Sequence, residues 1–350
     1  MTAPVNFPAG HLPPLNLFYG EPDFDRWLPF DRFPRAAIRR LLRGALRPGG
    51  QMRVFLNLCA GLDEIGQSYR VNDYRFARCH PDELCCVLGK RHVLDSHPWA
   101  NPLLLGPCIH DHPVTDPDLF RRRRVRRILV PGEWMRKMCE PYWGNRVHAW
   151  PVGLDTQHWA PSPQSKTLDF ILYNKIRWDH AARETILLTP IRAELDRLKL
   201  SYVEIKYGSY APGDFKNLLG SAHAMLFVCE HETQGLACQE ALSSGVPVLA
   251  WDHGGEWLDP EFHPHRVHYA PVSSVPYWDE RCGVRFASAV EFPAALDDFI
   301  GRQKTGHFNP RQYIIENLGL GICAAKFVEH ARIALTLDDA TDQPAFPAKP

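Results

Sequence analysis

The sequence predicts an α/β protein with two doubly wound domains, and three observations lead to this class. Short, continuous apolar runs typical of buried strands alternate with amphipathic helical patterns along most of the chain. A length of 350 residues suits two domains better than one. A proline-rich polar stretch at 150–167, WPVGLDTQHWAPSPQSKT, separates two such alternating runs and is typical of a linker.

The two runs have the strand and helix order of parallel sheets covered on both faces. The predicted strands are 15–19, 53–58, 83–88, 103–107 and 128–131 in the first run, and 169–173, 202–207, 224–229 and 246–251 in the second. The predicted helices are 35–46, 119–127, 181–198, 214–221, 234–244 and 293–301. In sheets of this type, ligands bind at the carboxyl ends of the strands.

Composition is that of an ordinary globular protein, with 45% hydrophobic and 23% charged residues. No apolar run approaches the roughly 18 residues that a membrane span requires, and the proline-rich N-terminus lacks the features of a signal peptide. Ten scattered cysteines without a CxxC pair favour reduced thiols. We therefore expect a cytoplasmic protein, either free or peripheral at the inner membrane face.

The stretch at 229–255, CEHETQGLACQEALSSGVPVLAWDHGG, predicts a buried strand, a tight turn, a helix ended by Gly245 and a second buried strand. The first amides of such a helix form an anion site, which Gly235 leaves open to a phosphate. Glu232 and Glu240 flank this site with seven residues between them. Sugar hydroxyls would explain acids beside a phosphate site, because carboxylates accept hydrogen bonds from them. The alternative is a helix-start acid that favours the dipole, followed by a solvated helix residue.

This stretch resembles the Glu-x7-Glu segment of retaining nucleotide-sugar glycosyltransferases with the GT-B fold, the large family four group. A second segment at 128–161, ILVPGEWMRKMCEPYWGNRVHAWPVGLDTQHWAP, resembles the segment through which the chain leaves the first domain in proteins of that group. The resemblance covers about residues 101–283. It implies two Rossmann-like doubly wound domains facing across a cleft, with the acceptor in the first and the donor in the second. The expected boundaries are 1–157, 158–310, a helix at 311–337 that returns to the first domain, and a flexible tail at 338–350.

Carried over by position, the resemblance implies that Glu232 contacts the donor sugar and that Glu240 binds the ribose hydroxyls. It implies that Lys175 and Arg177 neutralise the departing diphosphate, although their spacing departs from the family pattern and Arg183 is an alternative. His110 resembles a strand-end histidine that points at the donor sugar. The other implied donor-binding residues are Thr233, Gln234, Gly235 and Leu236 through their backbone, together with Gly66, Asn174 and Gly208.

The resemblance implies retaining transfer from a nucleotide-diphosphate sugar to a hydroxyl acceptor. We expect no metal or other cofactor, because fixed bases and helix amides would meet the charge and the sequence offers no credible ligand set. The close histidine cluster at 110–112 has the pattern of a polar loop at a strand end. Two alternatives are a non-catalytic nucleotide-sugar or glycan-binding protein and a GT-B sugar epimerase. The sugar, the nucleotide and the acceptor remain open.

Charge is divided unevenly along a chain whose formal net charge is zero. Residues 1–150 hold 22 Lys and Arg against 15 Asp and Glu, whereas residues 151–350 hold 18 against 25. Arginines at 35, 39, 43 and 47 are spaced to form one stripe on a helix. Further arginines are the acceptor-side candidates Arg121, Arg122, Arg123 and Arg124. Either these are solvated faces, or they attract an anionic acceptor such as a lipid-linked glycan, a polysaccharide or a modified nucleic acid.

Overall fold

The computed structural model describes residues 12–21 and 49–337. These residues form two units: residues up to 130, 141–150 and from 324 onward make the first, and residues 131–140 and 151–323 make the second. The predicted helix at 35–46, the arginine stripe on it and the tail at 338–350 lie outside the described residues.

The first unit contains a parallel sheet of six strands in the order β2-β1-β3-β4-β5-β6. Its strands are β1 (Leu15–Phe18), β2 (Tyr69–Val71), β3 (Cys85–Val87), β4 (Leu103–Leu105), β5 (Val125–Val130) and β6 (Val147–Ala149). The helices from its part of the chain are α1 (Gly50–Glu64), α2 (Tyr74–Cys79), α3 (Arg91–Asp95) and α4 (Leu119–Arg122). A further helix, α5 (Glu133–Trp143), lies between β5 and β6 in sequence.

The predicted strand at 53–58 is wrong, because these residues form the middle of α1. The buried positions of this helix are Phe55, Leu58, Gly61 and Leu62, which follow a helical spacing, and Leu56 between them is exposed. The apolar run was therefore one face of a helix. The error also affects Gly66, one of the implied donor-binding residues. Gly66 follows the end of α1 and precedes β2, so it lies at the amino end of that strand rather than at a carboxyl end.

The second unit contains a parallel sheet of five strands in the order β11-β10-β9-β7-β8. Its strands are β7 (Leu168–Lys175), β8 (Tyr202–Lys206), β9 (Ala222–Cys229), β10 (Val248–Trp251) and β11 (Gly283–Phe286). The helices are α6 (His180–Arg183), α7 (Thr189–Arg197), α8 (Pro212–Ser221), α9 (Leu236–Ser243), α10 (Phe292–Lys304) and α11 (Pro310–Leu318), and α12 (Leu320–Thr336) begins in this unit. A π-helical segment, Glu184–Leu188, joins α6 to α7, and α12 ends among residues of the first unit.

Both faces of the second sheet are buried, which explains its continuous apolar strands. Ile171, Tyr173 and Phe227 pack into one core, while alternate residues such as Leu172 and Leu226 pack into the other. The two parallel sheets with alternating helices confirm the predicted fold class. None of the described helices is long and apolar enough to cross a bilayer.

Other boundaries differ from the sequence predictions for local reasons. The predicted helix at 119–127 ends at Arg122, because Val125–Val130 pairs with β4 and β6 as the strand β5. The last helical pattern is divided at Gly319, which caps α11 in an extended conformation. Strands β2, β6 and β11 have three or four residues each, too few to show a period in sequence.

Candidate functional site

The candidate site lies at the carboxyl ends of β7 and β9. When the strands of each sheet are numbered in chain order, both sheets contain the strand order 2-1-3-4-5. In the second unit β7 is the first of these strands and β9 is the third. In this topology the connections leave the first and third strands toward opposite faces, which opens a crevice for ligands between their carboxyl ends. Lys175 and Cys229, the last residues of the two strands, are direct partners in the register. The topology therefore places both segments predicted to bind the donor at one point.

Lys175 and Glu232 form an ion pair at this crevice through Nζ and Oε1. Their side chains are only 15% and 11% exposed, so water screens the pair weakly. Burial lowers the pKa of Lys175 and the Glu232 carboxylate raises it, with a net upward shift. The Lys175 ammonium also lies 4.3 Å from the centre of the Tyr207 ring. Lys175 is therefore a fixed positive charge beside a carboxylate.

Glu232 is followed immediately by the turn into α9. Gly235 caps this helix with φ of +73°, a left-handed conformation that glycine adopts without strain. A Cβ at Gly235 would meet Pro276 Cδ at 3.6 Å, an ordinary contact, so backbone conformation rather than crowding within the chain requires the glycine. Unpaired amides at the start of α9 consequently point away from the helix next to the Lys175–Glu232 pair.

Replacing Gly235 by alanine is expected to destabilise the protein by about 1–2 kcal/mol, because an L-residue is strained in this conformation. Gly301, inside α10, is the matched control: a Cβ there meets nothing within 4 Å, and alanine should raise the free energy of unfolding by about 0.5–1 kcal/mol. Urea unfolding of both variants measures the difference. Equal effects of the two substitutions would contradict the assigned role of Gly235.

Glu240 lies in the second turn of α9 and is only 3% exposed. Burying a carboxylate is costly without compensating polar partners. The solvated-helix interpretation of this residue is therefore wrong, whereas a role as a polar group of a ligand site agrees with its burial.

A third acid, Glu230, was not predicted from the sequence. Its carboxylate is almost fully buried and accepts hydrogen bonds from the backbone amides of Arg177, at 3.1 Å, and Trp178, at 3.2 Å. Glu230 thus fixes the loop after β7 relative to the turn after β9. The signal in sequence was the acid two positions before Glu232, but only the tertiary contacts show its structural role.

His231 contacts two tryptophan rings, and the centroid of its ring lies 5.6 Å from that of Trp134 and 5.2 Å from that of Trp178. Burial, then the positive charge of Arg177, lowers the pKa of His231 to about 3, so the imidazole is neutral at neutral pH. Trp134 also donates from Nε1 to the backbone oxygen of Glu232 at 2.8 Å. These rings hold the Glu232 backbone from the side of residues 131–140.

The other predicted donor-side residues have contacts within the chain. Asn174 donates a hydrogen bond from Nδ2 to the Glu204 carboxylate, and its Oδ1 accepts one from the Ile176 backbone amide. Gly208 lies in the exposed turn after β8 with φ of +82°. Gln234 Oε1 accepts from the Val152 amide at 3.3 Å, and the Arg177 guanidinium lies over the Trp178 ring at 4.6 Å.

His110 belongs to the first unit, in the loop that follows β4. Its Nδ1 lies 3.0 Å from Thr115 Oγ1, and its Nε2 lies 3.8 Å from a carboxylate oxygen of Asp116. Burial lowers the pKa of His110 to about 4 against the opposing effect of Asp116, so this imidazole is also neutral. Its proposed contact with the donor sugar stays a prediction.

The acceptor-side arginines directly precede β5, at the amino end of that strand. Each lies near a carboxylate: Arg121 near Asp118, Arg122 near Asp116, Arg123 near Asp95 and Arg124 near Asp82. These ion pairs reduce the positive charge that the run presents to an anionic partner.

Comparison with known proteins agrees with this architecture. No protein-family model matches the chain, and no curated protein matches it either. Similar solved structures include AviGT4, a glycosyltransferase involved in avilamycin A biosynthesis, with a TM-score of 0.52, 16% identity, and coverage of 82% of this chain and 90% of that chain. Sucrose-phosphate synthase from Thermosynechococcus elongatus has a TM-score of 0.51 and 12% identity, and the match covers 91% of this chain and 98% of that chain. TarM has a TM-score of 0.51 and 11% identity, and the match covers 78% of this chain and 58% of that chain.

The chain therefore has the GT-B fold, with two Rossmann-like α/β domains. At identities of 11–16%, the likeness establishes the fold, and the function has to be argued from the site.

Proposed function

We propose that this protein transfers a sugar, with retention of anomeric configuration, from a nucleotide-diphosphate sugar to a hydroxyl acceptor. The observation that carries the proposal is the Lys175–Glu232 pair beside the start of α9. It combines a phosphate-binding helix end, a fixed cation and a carboxylate within one crevice. Glu240, buried in the same helix, supplies a second carboxylate for the far end of an elongated donor.

The buried ion pair has a direct role in this scheme. When the donor enters, its diphosphate replaces Glu232 as the partner of the Lys175 ammonium. The hydroxyls of the donor sugar replace Lys175 at the Glu232 carboxylate. Both buried charges keep a partner throughout, so binding avoids the cost of leaving either one uncompensated.

The difficult step is departure of the nucleoside diphosphate. The bond between the anomeric carbon and the diphosphate oxygen breaks, and negative charge develops on that oxygen. The acceptor hydroxyl oxygen then bonds to the same face of the anomeric carbon, and its proton passes to the leaving diphosphate. Lys175, Arg177 and the first amides of α9 stabilise this charge because they are fixed in place before the reaction. Glu240 accepts hydrogen bonds from the ribose hydroxyls and holds the nucleotide in register.

The proposed acceptor is a hydroxyl compound. The basic composition of residues 1–150 supports an anionic one, such as a lipid-linked glycan, a polysaccharide or a modified nucleic acid. The acceptor would bind to the first unit. The protein would be cytoplasmic, either free in solution or peripheral at the inner membrane face. The ion pairs of Arg121 to Arg124 weaken the attraction from these four arginines, so the support comes from the basic composition of residues 1–150 as a whole.

A thermal-shift and hydrolysis screen with UDP-, GDP-, ADP- and dTDP-sugars tests the proposal. One nucleotide class is expected to raise the Tm and to release its sugar slowly to water. Binding without hydrolysis or transfer would favour a non-catalytic nucleotide-sugar protein on the same scaffold. An epimerised sugar nucleotide as the product would favour the epimerase alternative, and no binding at all would contradict the site.

Activity is expected to survive EDTA, because fixed bases and helix amides meet the charge on the leaving diphosphate. The initial rate of transfer should be the same after dialysis against the chelator as before. A complete loss that Mg²⁺ or Mn²⁺ restores would contradict this part of the mechanism.

A further inference from the structure

Glu256, His263 and His268 form a side-chain cluster in the segment that connects β10 to β11. Glu256 Oε2 lies 3.5 Å from His263 Nδ1, and Glu256 Oε1 lies 3.7 Å from His268 Nδ1. All three residues offer a ligand atom within 4.8 Å of the other two. The cluster is distant in sequence from the histidines at 110–112. Its three residues are up to twelve positions apart in sequence, and only folding brings them together.

The backbone of this segment brings the three residues together and holds them. The Trp257 amide donates to the Tyr269 oxygen at 2.8 Å, which places Glu256 beside His268. The His263 amide donates to the Asp259 oxygen at 2.8 Å, which turns the chain back toward Glu256. Trp257 and Phe262 are buried and stack with ring centroids 4.7 Å apart. The ligand atoms therefore project from a packed framework.

We infer that this cluster binds a zinc ion. Two donor atoms bound at about 2.1 Å to one tetrahedral Zn²⁺ are about 3.4 Å apart. The two oxygens of the Glu256 carboxylate lie 3.5 Å from His263 Nδ1 and 3.7 Å from His268 Nδ1, so each histidine lies at about this distance from one of them. Imidazole nitrogens with one carboxylate suit Zn²⁺, whereas Mg²⁺ and Ca²⁺ prefer oxygen ligands. His263 Nδ1 is buried and has no hydrogen-bond partner in the structure, and a metal ion would satisfy it.

Three protein ligands leave one position of a tetrahedral ion to water. The ion would join the two ends of the stretch 256–268. The same connecting segment contributes the Ser273 oxygen that accepts from the Glu232 amide at 2.9 Å. Zinc would thus raise the Tm through this segment. Because the ion takes no part in the proposed sugar transfer, its removal should leave the transfer rate unchanged at temperatures well below the Tm.

The test uses tag-free protein that is dialysed against EDTA and then titrated with ZnCl₂. The wild type should bind about one equivalent at micromolar Zn²⁺, with a rise in Tm. His263→Ala and His268→Ala should each weaken binding by at least about 100-fold. His265→Ala is the matched control, because His265 is exposed in the same segment and lies outside the cluster, and it should bind like the wild type.

The ten cysteines could also bind zinc, so Co²⁺ is added in place of Zn²⁺ in a second titration. The cluster predicts an absorption spectrum without the thiolate charge-transfer band. A thiolate band, unchanged binding in either histidine variant, loss of binding in His265→Ala, or no binding by the wild type would overturn the inference. None of these results bears on sugar transfer, which the screen with nucleotide sugars tests separately.

Discussion

Replacing Lys175 by methionine is expected to lower kcat/KM for sugar transfer by about 100- to 1000-fold, because it removes a fixed cation from the leaving diphosphate. It also leaves the buried Glu232 carboxylate without its cation, which should lower the free energy of unfolding by about 3–5 kcal/mol. Glu232→Gln should destabilise the protein for the converse reason. Steady-state kinetics and urea unfolding measure the two effects separately.

The double variant Lys175→Met/Glu232→Gln separates function from stability. Both buried charges are absent, so we expect stability to recover well beyond the sum of the two single effects. Transfer should stay as low as in the single variants. Lys206→Met is the matched control, since Lys206 ends the neighbouring strand β8 but is exposed. Recovery of transfer together with stability would show that the pair is only structural.

Replacing Glu240 by glutamine is expected to weaken nucleoside diphosphate binding by about 10- to 100-fold, because hydrogen bonds to a charged acceptor are lost. A double-mutant-type cycle compares the wild type and this variant, each with the nucleotide identified in the screen and with its dideoxyribose analogue. The wild type should prefer the ribose form, and the variant should bind both forms nearly equally. Titration calorimetry measures the four affinities.

Glu194→Gln, a change of an acid on α7 whose carboxylate pairs with Arg197, is the control for this cycle and should leave all affinities unchanged. A ribose preference that persists in the Glu240 variant would contradict the assignment of Glu240 to the ribose hydroxyls.

The part of the site that could be predicted from the sequence is the part that local chain order determines. A buried strand, a turn and a helix at 222–243 place Glu232 and Glu240 without reference to the rest of the chain. Lys175 could be added because strand–helix alternation implies parallel strands, whose carboxyl ends share one edge. Its pairing with Glu232 is the result of that shared edge.

Features that depend on contacts distant in sequence could not be predicted. Glu230 acts on amides more than fifty positions away, and Trp134 reaches the Glu232 backbone across 98 positions. The helix α1 was mistaken for a strand because its apolar run, VFL, fits both periods when read over so few residues. Gly66 was misplaced as a consequence of that error.

The measurement that tests the central claim most directly is a crystal structure of the protein with its nucleoside diphosphate. We expect the phosphates at the start of α9, within hydrogen-bond distance of its first amides and of Lys175 Nζ, and the ribose hydroxyls within hydrogen-bond distance of the Glu240 carboxylate. Phosphates bound elsewhere in the protein, with the Lys175–Glu232 pair undisturbed, would contradict that claim.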